Sequence, residues 1–202
     1  MTDRFLTIKK SGQGDFRDRG SKFLAWAVRC HSEDDIKSVV SQLQKQHPSA
    51  RHFCFGYSIG FPEQAQKSSD DGEPSGTAGL PILNQILSSN VSNVLVVVVR
   101  YFGGTKLGKS GLINAYKEAA KMALDDAVFE TLILSKRLCI SYDYDQTGTV
   151  LRIIDQIENS QIENHEFGEQ TKTNFTVPQS LVAHTLTLFN HLKNVSIEKL
   201  DQ

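Results

Sequence analysis

The feature that most constrains the fold is an unbroken apolar run, VLVVVV from Val94 to Val99, followed closely by a glycine-rich stretch. A strand with one solvated face alternates apolar and polar residues, so a continuous run predicts a strand that is buried on both faces. After the glycines, the segment LINAYKEAAKMAL repeats apolar residues at helical spacing and predicts a helix. The chain is therefore expected to cover this strand on both sides.

The first 135 residues predict an α+β domain around that strand. Polar stretches that contain glycine, SGQGDFRDRG and PEQAQKSSDDGEPSG, are interpreted as loops. A helix is expected to begin after the capping residue Ser32 and to end at His47 and Pro48. A second helix is expected around Ile86. The remaining strands are predicted in FLTIKK, SKFLAWAVR, HFCFGYSIGF and VFETLILS.

From Leu138 onward the pattern changes to strand, helix, strand, strand, helix, strand. This βαββαβ order is that of the split-βαβ or ferredoxin-like arrangement. The sequence therefore predicts an α+β protein of two domains, the first over residues 1–135 and a small ferredoxin-like domain over 138–202.

Composition and charge narrow the classes of function. The N-terminus has no apolar segment of signal-peptide length, and no apolar run is long enough to cross a bilayer, so a cytoplasmic protein without a membrane partner is expected. The three cysteines lie far apart and are expected to be reduced and buried. The net charge is −1, yet the residues from Cys139 onward hold nine acidic and only four basic side chains. Of the two domains, the N-terminal one is therefore the better candidate for binding nucleic acid.

The stretch GGTKLGKSG raises the question of nucleotide hydrolysis, because Gly103 to Ser110 satisfies the phosphate-loop pattern. Such hydrolases place this loop after the first strand of a parallel sheet and need a later strand that ends in a magnesium-binding aspartate. In this chain the part of the domain that follows the loop is too short to contain those strands and helices. Two interpretations remain: a tight glycine turn, or helix N–H groups that hold a phosphate or carboxylate with Lys106 and Lys109.

A second dense stretch, SSDDGEPSGTAGLP, contains Asp70, Asp71 and Glu73. These carboxylates could bind a metal, but they lack the spacing of a calcium loop, and a solvated turn is the more common use of such a pattern. Thr77 could cap the helix that follows. His52 lies two residues from a cysteine on a predicted strand, where the two side chains could form a thiolate pair, although no orienting acid lies nearby in the sequence.

Three segments together resemble the IMPACT family: HPSARHFCFGY, SDDGEPSGTAGLPIL and VVVVRYFGGTKLGKSGLINAY. With the added βαββαβ unit, the chain resembles the bacterial two-domain members of the YigZ type. In that family Lys109 stands at a variable position and Ser110 at a position that is usually glycine. The resemblance therefore explains the phosphate-loop match as a coincidence created by two residues.

The resemblance implies an N-terminal domain related to domains of ribosomal proteins and to the fourth domain of elongation factor G. It implies a C-terminal domain like the ferredoxin-like fifth domain of that factor. Because eukaryotic relatives regulate translation under starvation, it further implies a non-catalytic protein of translation regulation and the stress response. The N-terminal domain would bind RNA, the ribosome or a translation factor, without cofactor or metal.

Two alternatives stay open at this stage. One is a metal- or phosphate-dependent small-molecule enzyme, or a nucleotide-binding protein, that uses the acidic loop and the glycine turn. The other is a protein-binding adaptor with an exposed apolar patch. The candidate binding residues are Asp70, Asp71, Glu73, Thr77, Arg100, Tyr101, Gly103, Gly104, Lys106 and Lys109, with His52 as an addition.

Overall fold

The computed structural model describes residues 3–200, and the chain divides into two compact units. The N-terminal unit is Phe5–Leu132, and the C-terminal unit begins at Ile133. Asp3 and Arg4 group with the C-terminal unit, because the Asp3 carboxylate accepts a hydrogen bond from the backbone N–H of Ser180 at 3.0 Å. The sequence predicts domains over residues 1–135 and 138–202. The two units of the structure differ from these domains mainly at the start of the chain, where Asp3 and Arg4 belong to the C-terminal unit.

The N-terminal unit combines strands from two sheets with three long helices. Its strands are β1 (Arg4–Lys10), β2 (Gly12–Asp18), β3 (Ser21–Arg29), β4 (His52–Ile59), β5 (Ala65–Ser69), β6 (Val94–Tyr101) and β7 (Val128–Ile133). Its helices are α1 (Glu33–Gln46), α2 (Gly79–Ser88) and α3 (Gly108–Asp126). The five-stranded sheet has the order β2-β3-β6-β4-β5, and β1 pairs with β7 in a separate sheet.

The central strand β6 is buried on both faces, as the apolar run predicts. Every residue from Val94 to Val99 has 0% exposure. On one face the even-numbered valines pack with residues of α2 and α3, including Ile82 and Ala119. On the other face the odd-numbered residues pack with Ile36 of α1. The fold is thus a sheet between helical layers, and neighbouring residues of β6 belong to different cores.

The first helix begins and ends where the sequence predicts. The Ser32 side chain accepts a hydrogen bond from the backbone N–H of Asp35, and the Asp35 carboxylate accepts one in return from the N–H of Ser32. This reciprocal pair satisfies two backbone donors that the first turn leaves open. The helix ends at its C-cap, His47.

Two strands lie in segments that the sequence predicts as loops, and that part of the prediction is wrong. Strand β2 occupies SGQGDFRDRG, and its glycines are needed because α3 packs directly on it. A Cβ atom at Gly12 would stand 2.1 Å from the carbonyl oxygen of Ala123, and one at Gly14 would stand 2.7 Å from that of Ala119. Strand β5 lies in the polar segment before the acidic loop and forms an edge of the sheet.

The C-terminal unit has the predicted element order. Its elements are β8 (Ser135–Tyr142), α4 (Thr147–Asp155), β9 (Gln161–Glu166), β10 (Thr171–Pro178), α5 (Val182–Leu188) and β11 (Ser196–Lys199), with 3₁₀ turns at Tyr144–Gln146 and Gln179–Leu181. The sheet order β11-β8-β10-β9 places a strand of one βαβ unit between the two strands of the other. A core that includes Tyr142 and Phe175 fills the space beneath the helices.

Candidate anion-binding site

The acidic loop between β5 and α2 is organised by Asp70. One carboxylate oxygen accepts hydrogen bonds from the N–H groups of Ala78 and Gly79, each at 2.9 Å, and the other accepts one from Gly76 at 2.8 Å. Partial burial opposes ionisation, yet these three donors outweigh it and hold the pKa of Asp70 below its ordinary value. Asp70 therefore caps α2, and the Thr77 hydroxyl donates instead to the carbonyl oxygen of Pro74.

Asp71 and His52 fasten the same loop to β4. The Asp71 carboxylate accepts a hydrogen bond from the backbone N–H of Phe53 at 2.6 Å. The carbonyl oxygen of Asp71 lies 2.8 Å from Nδ1 of His52. The Cys54 thiol donates to the carbonyl oxygen of Asp70, and burial raises the pKa of this thiol. A thiolate pair of His52 and Cys54 is therefore not what this geometry provides, because both side chains hold the loop.

Glu73 is buried at the centre of a polar cluster. Its Oε1 atom accepts hydrogen bonds from Nη1 of Arg100 at 2.6 Å and from the hydroxyl of Tyr116 at 2.8 Å. The side chains of Glu73 and Arg100 are only 4% and 7% exposed. Burial is the largest effect that raises the pKa of the Tyr116 hydroxyl, and the neighbouring Cys54 and Glu73 raise it further. The hydroxyl therefore keeps its proton and donates it to Glu73 in a hydrogen bond.

The guanidinium of Arg100 also contacts two aromatic rings. Its central carbon lies 5.5 Å from the ring centroid of Phe23 and 5.5 Å from that of Phe102. Phe23 is fully buried, whereas Phe102 is 55% exposed. The ion pair uses Nη1, while Nε is buried and has no hydrogen-bond partner. Arg100 thus links the buried cluster to the surface.

Glu73 and Arg100 lie at the wall of a cleft of about 420 Å³, which we call the basic cleft. Its other lining residues come from the acidic loop, the glycine turn and the start of α3. They are Pro74, Phe102, Lys106, Leu107, Gly108, Lys109 and Leu112. The cleft therefore joins two segments that are distant in the sequence, and it holds three cationic side chains against one carboxylate.

The glycine turn brings α3 to the cleft at a particular angle. Gly103 lies against the turn that precedes β3. A Cβ atom at Gly103 would stand 1.9 Å from the backbone carbonyl carbon of Gly20 in that turn. Gly104 and Gly108 have φ angles of +90° and +71°, which favour glycine. Helix α3 then begins at Gly108, and its N-cap Leu107 provides no side-chain hydrogen bond. The first N–H groups of this helix are thus left without a side-chain acceptor.

The topology around this turn differs from that of a phosphate-loop hydrolase. Strand β6, which precedes the turn, pairs antiparallel with β3 on one side and with β4 on the other. The whole five-stranded sheet is antiparallel, whereas those hydrolases use a parallel sheet. Across residues 3–200, no group of three or more His, Cys, Asp or Glu side chains is arranged to hold a metal ion.

Among the candidate residues, Glu73, Arg100, Lys106 and Lys109 line the cleft, whereas Asp70, Asp71, Thr77, Gly103, Gly104 and His52 shape the loops beside it. Tyr101 follows Arg100 in β6 and lies on the other face of the sheet, where its hydroxyl lies 2.8 Å from Nδ1 of His47. Strand alternation alone could have separated these two residues. The sequence analysis does not identify Phe102, Leu112 or Tyr116. The latter two share a helical face with Gly108 through i, i+4 spacing, which is the signal that could have identified them.

Known proteins match this chain over both of its units. Residues 19–124 match the family described as the Impact N-terminal domain. The IMPACT family member YvyE of Bacillus subtilis (strain 168) is 35% identical over 150 residues, which cover 74% of this chain and 69% of YvyE. The IMPACT family member YigZ of Escherichia coli (strain K12) is 31% identical over 165 residues, which cover 81% of this chain and 80% of YigZ.

A solved structure supports the fold of the full chain. It is described as the crystal structure of a hypothetical protein, and it aligns over 100% of both chains with a TM-score of 0.70 and 26% sequence identity. Among the helices of residues 3–200, none is both long enough and apolar enough to span a bilayer.

Proposed function

The chain belongs to the IMPACT family, and on this premise we propose that it regulates translation by binding RNA through the basic cleft of its N-terminal unit. The proposed role is non-catalytic and cytoplasmic, and it belongs to the response to starvation. Kinship of the two units with domains of ribosomal proteins and of elongation factor G remains a prediction. The observation that carries the proposal is the meeting of three cations, a helix N-terminus and an exposed aromatic ring at one cleft.

The charge of the basic cleft supports an anionic ligand. Its one carboxylate, Glu73, is already paired with Arg100, so the local excess comes from Lys106 and Lys109. Both lysines are exposed. Contacts between such side chains and phosphates supply most of the sequence-independent affinity for nucleic acid.

The start of α3 supports a phosphate in particular. Helix N-terminal N–H groups, with the positive end of the helix dipole, stabilise bound anions. In α3 these N–H groups have no capping side chain, and Leu107 and Gly108 at the start of the helix line the cleft. A phosphodiester group at this position would satisfy donors that the protein itself leaves open.

Phe102 supports a nucleic-acid ligand over a free phosphate. Its ring lies beside Arg100 and is 55% exposed at the mouth of the cleft. Unpaired bases stack on such rings, and stacking combined with backbone contacts is how proteins bind single-stranded RNA. We therefore expect a single-stranded or looped segment rather than a regular duplex.

Ribosome co-sedimentation and crosslinking in living cells test the proposal. We expect Lys106→Ala combined with Lys109→Ala to weaken RNA crosslinking and to reduce the salt dependence of binding by about one unit of slope per lost phosphate contact. Lys121→Ala is the matched control, because this lysine is exposed on the same helix. Equal crosslinking of both variants, or no ribosome association at any salt concentration, would contradict the proposal.

A nucleotide-binding protein is the second candidate, because about 420 Å³ lies within the range of small-molecule sites. It predicts a rise in melting temperature with magnesium and ATP or GTP that disappears in Lys109→Ala. Under our proposal neither nucleotide stabilises the chain. The metal-dependent enzyme receives less support, because Asp70 and Asp71 hydrogen-bond to the backbone of their own loop and of β4.

A further inference from the structure

We propose that the C-terminal unit carries a separate docking surface for an arginine-rich segment of a partner protein. The surface consists of two exposed rings, Tyr144 and Phe167, beside Asp143, Glu166 and Glu169, and we call it the aromatic-acidic surface. It lies in a different unit from the basic cleft, so the inference does not depend on RNA binding there.

The two rings have the largest exposures of any large hydrophobic side chains in the described part of the chain. Tyr144 is 74% exposed and Phe167 is 69% exposed. Their ring centroids are 6.3 Å apart in an edge-to-face arrangement. Adjacent aromatic side chains left in water are typical of surfaces that become covered by a partner.

Phe167 is linked to the buried core of the unit through His165. Phe167 directly follows β9, and its ring lies 6.4 Å from that of His165. Nδ1 of His165 lies 2.9 Å from the hydroxyl of Thr173, which in turn lies 2.7 Å from the hydroxyl of Tyr142. Thr173 and Tyr142 have 0% exposure. This path of contacts leads from Phe167 through His165 to the core, and restriction of the Phe167 ring before binding lowers the entropy lost on binding.

The charge of the aromatic-acidic surface indicates the kind of partner that it can bind. An open cavity of about 610 Å³ beside Phe167 is lined by Asp143, Glu166 and Glu169 against the single cation Lys172. The sequence from residue 139 to the end has nine acidic and four basic side chains. Such a surface repels the phosphates of nucleic acid and attracts a cationic segment.

The rings favour arginine over lysine within such a segment. A guanidinium is planar, stacks on aromatic faces and forms two parallel hydrogen bonds with one carboxylate. An ammonium offers only a strongly hydrated point charge. Because the cavity is open and the rings stand beside it, an extended segment can place one arginine on the rings and another among the carboxylates.

Fluorescence anisotropy of the full chain with a labelled peptide of alternating arginine and glycine tests the inference. We expect binding that weakens with salt, weaker binding of the lysine counterpart, and none of the glutamine counterpart. Equal binding of the arginine and lysine peptides would overturn the inference, because it would show attraction by charge alone. Failure of the arginine peptide to bind would overturn it as well.

Variants of the surface make the test specific. We expect Phe167→Ala, and separately Glu169→Gln, to weaken arginine-peptide binding about threefold or more. Ile162→Ala and Asp155→Asn are the matched controls, since both residues are exposed in the same unit. If the controls weaken binding as much, or if Phe167→Ala impairs RNA binding and leaves peptide binding unchanged, the inference is wrong. RNA crosslinking that depends on Lys106 and Lys109 separates this result from the proposed function.

Discussion

Glu73 holds together the buried polar cluster at the wall of the basic cleft. It is the carboxylate partner of the buried Arg100 guanidinium and an acceptor for Tyr116. Removing one member of a buried ion pair leaves the other charge uncompensated, so we expect Glu73→Ala to lower the free energy of unfolding by about 3–5 kcal/mol. Urea unfolding followed by the fluorescence of Trp26, the one tryptophan of the chain, measures this loss in the N-terminal unit.

The matched control is an ion pair at the surface. Lys37 and Asp34 lie 3.0 Å apart with side chains 73% and 90% exposed, so we expect Asp34→Ala to change stability little. The double variant Glu73→Leu, Arg100→Met leaves no unpaired charge and is expected to be more stable than Glu73→Ala. A loss for Glu73→Ala no larger than that for Asp34→Ala would show that the pair contributes little.

Asp70 gives the N-terminal unit a predicted dependence on acid. Its folded-state pKa is lowered, because the three N–H donors outweigh the opposing effect of burial. The stability it provides is therefore complete above the unfolded pKa, about 3.9, and is lost as pH falls through the folded value. Asp70→Asn should flatten this loss in unfolding curves measured at successive pH values. Asp15 and Asp35 also have lowered pKa values, so the difference between variant and parent is the informative quantity.

The sequence could predict part of the site at this scale and not the rest. Lys106 and Lys109 follow from the glycine-turn motif, and Glu73 belongs to the recognisable acidic loop. That Glu73 pairs with Arg100 depends on how the loop crosses the sheet, which no local pattern encodes. Tyr116 enters the cluster only because α3 packs against the same face of β6.

At the scale of elements, the contact between β2 and α3 depends on glycine. A Cβ atom at Gly12 would overlap the backbone at Ala123 of α3 and at Ala127, the C-cap of that helix. We expect Gly12→Ala to force the helix away and to destabilise the N-terminal unit by about 1–3 kcal/mol. The control is Gln13→Ala, because this neighbouring side chain is exposed. Similar unfolding midpoints for the two variants would show that the helix can shift at little cost.

The same contact explains which elements the sequence could predict. The α1 cap and the apolar β6 carry local signals, and both agree with the structure. The sequence predicts a loop at strand β2 because glycine and charged residues weaken any strand signal. In the structure these glycines allow α3 to pack against the strand. Strand β5 is short and polar because it is an edge of the sheet.

At the scale of the whole molecule, charge and packing are both divided between the units. Each unit has its own apolar core, with Ile82 and Val96 in one and Tyr142 and Phe175 in the other. The acidic excess lies in the C-terminal part of the sequence, and the basic cleft lies in the N-terminal unit. An anionic ligand of the cleft and a cationic ligand of the aromatic-acidic surface would then be compatible on one chain.

A fragment that ends after Leu134 tests this division. Because the core of the N-terminal unit is complete within Phe5–Leu132, we expect the fragment to fold, with a cooperative thermal transition and dispersed amide resonances. It should bind polyanions such as single-stranded RNA more tightly than the full chain at low salt, since it lacks the acidic excess of residues 139–202. The gain should disappear at high salt, where charges are screened. An aggregated fragment would show that the units need each other to fold, and a folded fragment with unchanged affinity would show that the C-terminal charge does not reach the basic cleft.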